Sequence, residues 1–199
     1  MAISRSRRSE KLSWNRSAAC AAMSILFAIT SAPAFTQDKP EDEGVFVLAQ
    51  ALLDEARGLC LDIPGHRDRV NVTRALVVHT CKRDIWNLDE RFSRTDLDRG
   101  VLRMPAYNRC VVGREMRAGA AVVLAACDAS PNQQWRFVDN RLMPTTDDSL
   151  CLTIGPEASK LTPGGRRLPS RHVARSVGLA ECSAAAAKRQ QWKSEPAGG

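Results

Sequence analysis

Six of the seven cysteines fall into a pattern that restricts the fold more than any other feature of the chain. Cys60, Cys110 and Cys151 share one setting: Gly58-Leu59-Cys60-Leu61-Asp62, Asn108-Arg109-Cys110-Val111-Val112 and Ser149-Leu150-Cys151-Leu152-Thr153. Cys81, Cys127 and Cys182 share another, in which an aliphatic residue stands five and three positions ahead of the cysteine: Leu76 and Val78, Val122 and Leu124, Val177 and Leu179. That is period-two alternation, the mark of a half-buried strand ending at a cysteine. Six cysteines allow 15 pairings, and counting cannot choose among them. The alternation of settings makes one bridge per unit the economical choice: Cys60–Cys81, Cys110–Cys127 and Cys151–Cys182. Each would close a loop of about 17 to 31 residues, worth roughly 3 kcal/mol in the chain-entropy model.

The tryptophans keep the same rhythm. Trp86, Trp135 and Trp192 follow the second cysteine of each unit by 5, 8 and 10 residues. Two stand in Gln133-Gln134-Trp135 and Gln190-Gln191-Trp192, and the third in Asp84-Ile85-Trp86. A threefold repeat of about 50 residues follows. Short apolar segments such as Val101–Met104, Cys110–Val112 and Ala121–Leu124 have strand length. Val45, Leu48, Ala49, Leu52, Leu53 and Ala56 have helical spacing. Strands are still expected there, because the equivalent stretches of the other units read as strands. One helical turn is expected over Ala184–Lys188. Such a unit cannot bury its apolar face alone, whereas three around an axis share one core and tie off their edges.

Cys-Leu-Asp, aliphatic alternation into a second cysteine, then Gln-x-Trp, repeated three times, resembles the ricin-type (R-type) lectin family over about residues 44–194. The resemblance implies an all-β chain folded as a β-trefoil, with repeats at about 44–92, 93–137 and 138–194 and a flexible tail at 195–199. It also implies that Trp86, Trp135 and Trp192, with Gln133 and Gln190, are structural residues of a shared core. In this family an aspartate two residues after the first cysteine accepts hydrogen bonds from sugar hydroxyls. An aromatic two residues before the second cysteine stacks on the sugar, and polar groups just ahead of the tryptophan complete the site.

On that basis the first repeat offers Asp62, His79 and Asp84 as sugar-binding residues. The second repeat has Val112 and Ala125 at the first two positions, and the third has Thr153 and Ala180. Neither pair supplies both an anionic acceptor and a stacking surface. The expectation is a carbohydrate-binding protein with at most one intact site. The alternative is a protein-interaction trefoil, such as an accessory subunit of a bacterial toxin or secreted complex, that has lost sugar binding. The longest inter-cysteine loop carries Arg166, Arg167, Arg171 and Arg175 with no acid among them. Guanidinium forks of this kind suit an anionic glycan, a phosphate or an acidic protein surface.

The first 34 residues have the layout of a secretory signal. Arg5, Arg7, Arg8, Lys11 and Arg16 form a basic start, Ala18–Ile29 is apolar, and Ala32-Pro33-Ala34 is a small-residue cleavage box. Cleavage after Ala34 would leave a short linker at 35–43 ahead of the domain. An exported chain, secreted or periplasmic, suits paired cysteines. The formal charge of +7 owes much to this segment, so nucleic acid is not an expected partner. No HExxH, GxSxG, paired Cys-x-x-Cys or phosphate-binding glycine loop occurs. His66, His79 and His172 show no metal-ligand spacing, and the adjacent acids Asp89-Glu90 and Asp147-Asp148 read as solvated turns. No enzyme activity, cofactor or metal is expected, and no membrane span once the signal is removed.

Overall fold

The computed structural model describes residues 42–50, 54–83 and 85–197. These lie within the second of the two units of the chain, Gln37–Gly199. The signal segment, its cleavage box and most of the linker lie outside the described residues. So does Asp84.

The described residues form thirteen strands: β1 (Glu43–Leu48), β2 (Leu59–Asp62), β3 (Val77–Thr80), β4 (Phe92–Ser93), β5 (Arg103–Met104), β6 (Arg109–Gly113), β7 (Val122–Ala125), β8 (Trp135–Val138), β9 (Arg141–Pro144), β10 (Leu150–Ile154), β11 (Lys160–Leu161), β12 (Val173–Glu181) and β13 (Trp192–Pro196). The helices are single turns: α1 (Arg94–Asp98), α2 (Pro163–Arg167) and α3 (Ala187–Gln190). The strands sort into three sets of four, with β11 as an extra strand inside the third set. This is the β-trefoil that the resemblance implied. The ambiguous segment near Val45 opens as β1, and the expected helical turn appears as α3.

Each set contributes one hairpin, β2–β3, β6–β7 or β10–β12, with its cysteine bridge across the pair. The bridges are Cys60–Cys81, Cys110–Cys127 and Cys151–Cys182, with Cα separations of 4.9, 5.1 and 5.1 Å. The pairing inferred from alternating settings is the one found. The hairpins meet about one line. Leu76 N–H donates to Val122 O at 2.9 Å, Leu179 N–H donates to Ala120 O at 2.8 Å, and β12 pairs with β3 from Ala174↔His79 to Ser176↔Val77. Gly178 sits at this junction because a Cβ there would lie 2.6 Å from the Ala120 carbonyl. The ring closes where β1 pairs with β13, from Gly44↔Pro196 to Leu48↔Trp192. β13 therefore runs two residues beyond the boundary expected at 194, because these residues pair with the first strand.

The six aliphatic residues ahead of the second cysteines, Leu76, Val78, Val122, Leu124, Val177 and Leu179, all lie in one buried core. Trp135 and Trp192 join them, 1% and 0% exposed. Each indole N–H reaches the carbonyl one residue after the first cysteine of its own repeat: Val111 at 2.9 Å and Leu152 at 3.0 Å. A buried indole needs such a partner for its one donor.

Trp86 departs from the expectation. It is half-buried, outside the core, and meets His66 edge-on with ring centroids 5.2 Å apart. Its place in the core is taken by Phe92, fully buried and in edge contact with Phe46 at 5.4 Å. Phe92, Trp135 and Trp192 each open a strand just after a single helical turn. The first repeat's counterpart of Gln-x-Trp is thus Glu90-Arg91-Phe92. Trp86 falls too soon after Cys81 for the chain to make that turn and return to the core.

Truncation separates the two kinds of tryptophan. Trp192→Ala is expected to cost about 3–5 kcal/mol in urea unfolding, and Trp86→Ala about 1 kcal/mol or less. Equal losses would restore Trp86 to the core.

Candidate functional site

The corrected register moves the site. The glutamines of the second and third repeats bridge the turn after the second cysteine. Gln133 accepts from Asp128 N–H at 3.1 Å and donates to Ala126 O at 2.7 Å. Gln190 accepts from Ser183 N–H at 2.9 Å and donates to Glu181 O at 2.7 Å. Glu90 keeps the first half of this pattern, accepting from Lys82 N–H at 3.0 Å. Its other oxygen, Oε1, is buried with no hydrogen-bond partner. Oε1 stands where the other repeats place an amide nitrogen that donates.

Around Glu90 the first repeat buries an ionic cluster. Lys82 donates from Nζ to Asp62 Oδ2 at 2.8 Å and to Asp89 Oδ2 at 2.5 Å. Asp62, Asp89, Glu90 and Lys82 are all at most 4% exposed. Asp62 comes from the end of β2, Lys82 from the turn after Cys81, and Asp89 and Glu90 from the single turn before β4. Asp62 Oδ1, Asp89 Oδ1 and the Tyr107 hydroxyl are further buried polar atoms lacking partners. With all groups ionised, three carboxylates face one ammonium. Burial, and then the neighbouring acids, push the Asp62 carboxyl well above the usual carboxylate range. Burial likewise raises Asp89, against the pull of Lys82. Burial lifts Glu90 to about 8. Burial also opposes the charge on Lys82, but Asp62, Asp89 and Glu90 outweigh it and raise its pKa. The physical consequence is that burial disfavours the charged form of all three acids, while the Lys82 ammonium favours it.

His79 stands at the edge of this cluster, its side chain 12% exposed, with Nδ1 3.7 Å from Asp62 Oδ2. Burial and the Lys82 charge drive its pKa down to about 3, so the ring is neutral. Nδ1 lies 2.7 Å from the Thr80 carbonyl, which can only accept, so this nitrogen carries the proton. The outer face of the ring meets His172 at 5.2 Å.

His172 belongs to the third repeat's insertion, whose strand β12 pairs along β3. Arg57 fastens it, donating to Ser170 O at 2.6 Å while gripping Glu55. Val173 N–H donates to Thr80 Oγ1 at 2.9 Å. Asp62 and His79 thus come together as the sequence suggested, but in a covered setting. Asp89 and Glu90, read as solvated, are buried, and they occupy the place assigned to Asp84.

Asp62, His79 and Glu90 hold ligand atoms within 4.8 Å of one another, a spacing that suits a cation. The Lys82 ammonium already occupies Asp62 Oδ2, and the His79 proton faces Thr80.

The arginines do not form one patch. Arg166 and Arg167 are exposed on α2, bonding Leu161 O and Pro163 O. Arg171 is exposed, with positive φ. Arg175 is turned inward, its side chain 8% exposed and 3.9 Å from Asp54. In the third repeat Thr153, at the place of Asp62, accepts from Gln190 at 3.0 Å, a neutral pair where the first repeat sets two acids together.

The chain belongs to the ricin-type β-trefoil lectin domain family, whose model matches residues 50–163. Among solved structures it is similar to the C-half of an earthworm R-type lectin in complex with GalNAc, at 12% identity, covering 77% of this chain and 98% of that one, with a TM-score of 0.53. It is also similar to the β-trefoil lectin of a Vibrio vulnificus hemolysin/cytolysin with N-acetyl-D-lactosamine bound, at 17% identity over 78% and 94%, TM-score 0.52. The designed threefold-symmetric protein ThreeFoil matches at 15% identity over 77% and 97%, TM-score 0.55. At these identities the likeness is one of fold. No curated protein matches the chain. No described helix is long and apolar enough to cross a membrane.

The Glu90 pKa sets a pH window. A carboxyl raised from 4.5 to about 8 contributes stability fully present below its unfolded pKa. That contribution is lost as pH rises from there through about 8, because only the folded state then holds the proton. Glu90→Gln supplies the amide used in the other repeats. It should flatten the decline across this window and raise stability at pH 8 by at least about 1 kcal/mol, read from urea midpoints measured across pH. An unchanged pH profile would show that Glu90 is not the titrating group.

Proposed function

We propose that the protein is an exported carbohydrate-binding trefoil, cleaved after Ala34, whose capacity for sugar lies in the first repeat alone. One observation carries this reading. The acid after the first cysteine and Asp89 of the polar pair ahead of the core aromatic meet at the Lys82 ammonium, Glu90 accepts from the Lys82 backbone, and the ring before the second cysteine lies 3.7 Å from Asp62. The other repeats hold neutral or apolar groups at the positions of that first acid and that ring. The orphaned oxygens of Asp62 and Glu90 and the Tyr107 hydroxyl, buried in this repeat, are hydrogen-bonding capacity that no described residue uses. Three formed bridges suit an oxidising compartment. A single site without repeat avidity implies monosaccharide affinity of about millimolar.

A second reading is favoured by the cover over His79 and by Leu168, 58% exposed beside Arg166 and Arg167. In it the trefoil is a protein-interaction module, such as an accessory subunit of a secreted complex.

A broad glycan array, followed by calorimetry with N-acetylgalactosamine and N-acetyllactosamine, separates the two. Asp62→Asn should abolish glycan binding by the folded protein, while Thr153→Val leaves it unchanged. Glycan binding indifferent to Asp62→Asn would refute the first-repeat site. Absence of any glycan hit, with a stoichiometric protein recovered from the native source, would favour the second reading.

A further inference from the structure

The sugar-binding reading leaves one physical requirement open. A hexose presents a C–H face that binds best on an aromatic plane. The position expected to supply it carries His79, whose ring is mostly buried and already met by His172. Trp135 and Trp192 are sealed in the core. Among the described residues that leaves Trp86 as the half-exposed indole.

Trp86 stands on a segment held at both ends. Asn87 donates to Lys82 O at 3.2 Å and accepts from Arg91 at 2.8 Å. The turn Leu88–Glu90 then carries the chain into β4, burying Asp89 and Glu90 in the ionic cluster. Ile85 and Leu88, on either side of Trp86 and Asn87, are 53% and 36% exposed. Exposed apolar side chains beside an indole are the informative exception on a polar surface.

His66 closes the other side. It follows Pro64-Gly65, in a turn pinned by Asn71 N–H to Pro64 O at 2.9 Å and Arg69 N–H to His66 O at 3.0 Å. Gly65 has φ +130°, and a Cβ there would meet the Arg69 carbonyl at 2.2 Å. The turn therefore requires glycine and holds the imidazole against Trp86, the two rings near perpendicular with centroids 5.2 Å apart. The ring makes no side-chain hydrogen bond among the described residues, so its nitrogens are open to a hydroxyl. Burial and then Lys82 lower its pKa, with Asp89 acting against them.

We propose that Trp86, with His66 packed against it, is the stacking platform on which this protein holds a pyranose ring, taking the role that His79 occupies by sequence position. The inference rests on the sugar-binding reading and deepens it. A half-buried indole with an imidazole packed against it, and with exposed apolar residues next to it in the chain, offers the kind of aromatic surface on which a single sugar ring stacks.

The test is calorimetry on the full folded chain with the strongest binder from the glycan array, using Trp86→Ala, Trp86→Phe and Asp62→Asn, with indole emission as a second readout. Trp86→Ala should weaken binding at least about tenfold, and Trp86→Phe only about two- to threefold, since a smaller aromatic still stacks. Ligand should shift the emission of the parent protein, and the shift should vanish in Trp86→Phe. Binding that is unchanged in Trp86→Ala but lost in Asp62→Asn would overturn the platform and leave the first-repeat reading standing. No glycan bound by the parent protein would bring down both. Loss of a protein partner instead of a glycan on Trp86→Ala would make the patch a docking surface and overturn the proposal.

Discussion

Three hairpins meet edge to edge about a single line, and the rest of the molecule depends on that junction. Leu76 bonds Val122, Leu179 bonds Ala120, and Ser176 pairs with Val77. No hairpin of four or five residues per strand is stable by itself in water. Meeting in threes, they turn Leu76, Val122 and Val177 toward one another and bury them together. The cysteine bridges lock each hairpin internally. They leave the contact between repeats to packing, to backbone hydrogen bonds and to the closure of β1 on β13.

On that common frame the repeats have diverged in charge more than in shape. In the second and third, a glutamine satisfies the turn after the second cysteine by donating and accepting. The first repeat places Glu90 there, sets Asp62 and Asp89 close by, and supplies Lys82 as counterion. A buried cluster of this composition contributes little net stability, because desolvation offsets most of the attraction. It concentrates polar capacity at one position of a pseudo-threefold molecule. On the reading proposed above, this local conflict between charge and burial marks a functional site.

The third repeat has diverged differently. Its long inter-cysteine loop adds β11, α2 and an extended β12. That extension makes its contacts on the first repeat, through Arg57, Thr80 and His79. The covered side of the first repeat and the open side at Trp86 have separate causes. The insertion closes the face beside β3, and the turn after Cys81 leaves the indole outside.

The sequence by itself determined the threefold repeat, the bridge pairing, the strands ending at cysteines and the identity of Trp135 and Trp192 as core residues. The first three follow from local alternation and from spacing along the chain, which tertiary contacts preserve; the core place of the two tryptophans was implied by the resemblance to the ricin-type family. Glu90-Arg91-Phe92 was also legible, since Phe92 lies 11 residues after Cys81, near the spacing of its counterparts. The nearer Trp86 masked it, because residue type is a louder signal than position. Only the tertiary structure decided that Asp89 and Glu90 are buried, that Lys82 gathers the acids, that Arg175 faces Asp54, and that a loop from the third repeat shuts over His79. Burial and charge pairing arise from segments that meet across the fold, and no local pattern records which segments those will be.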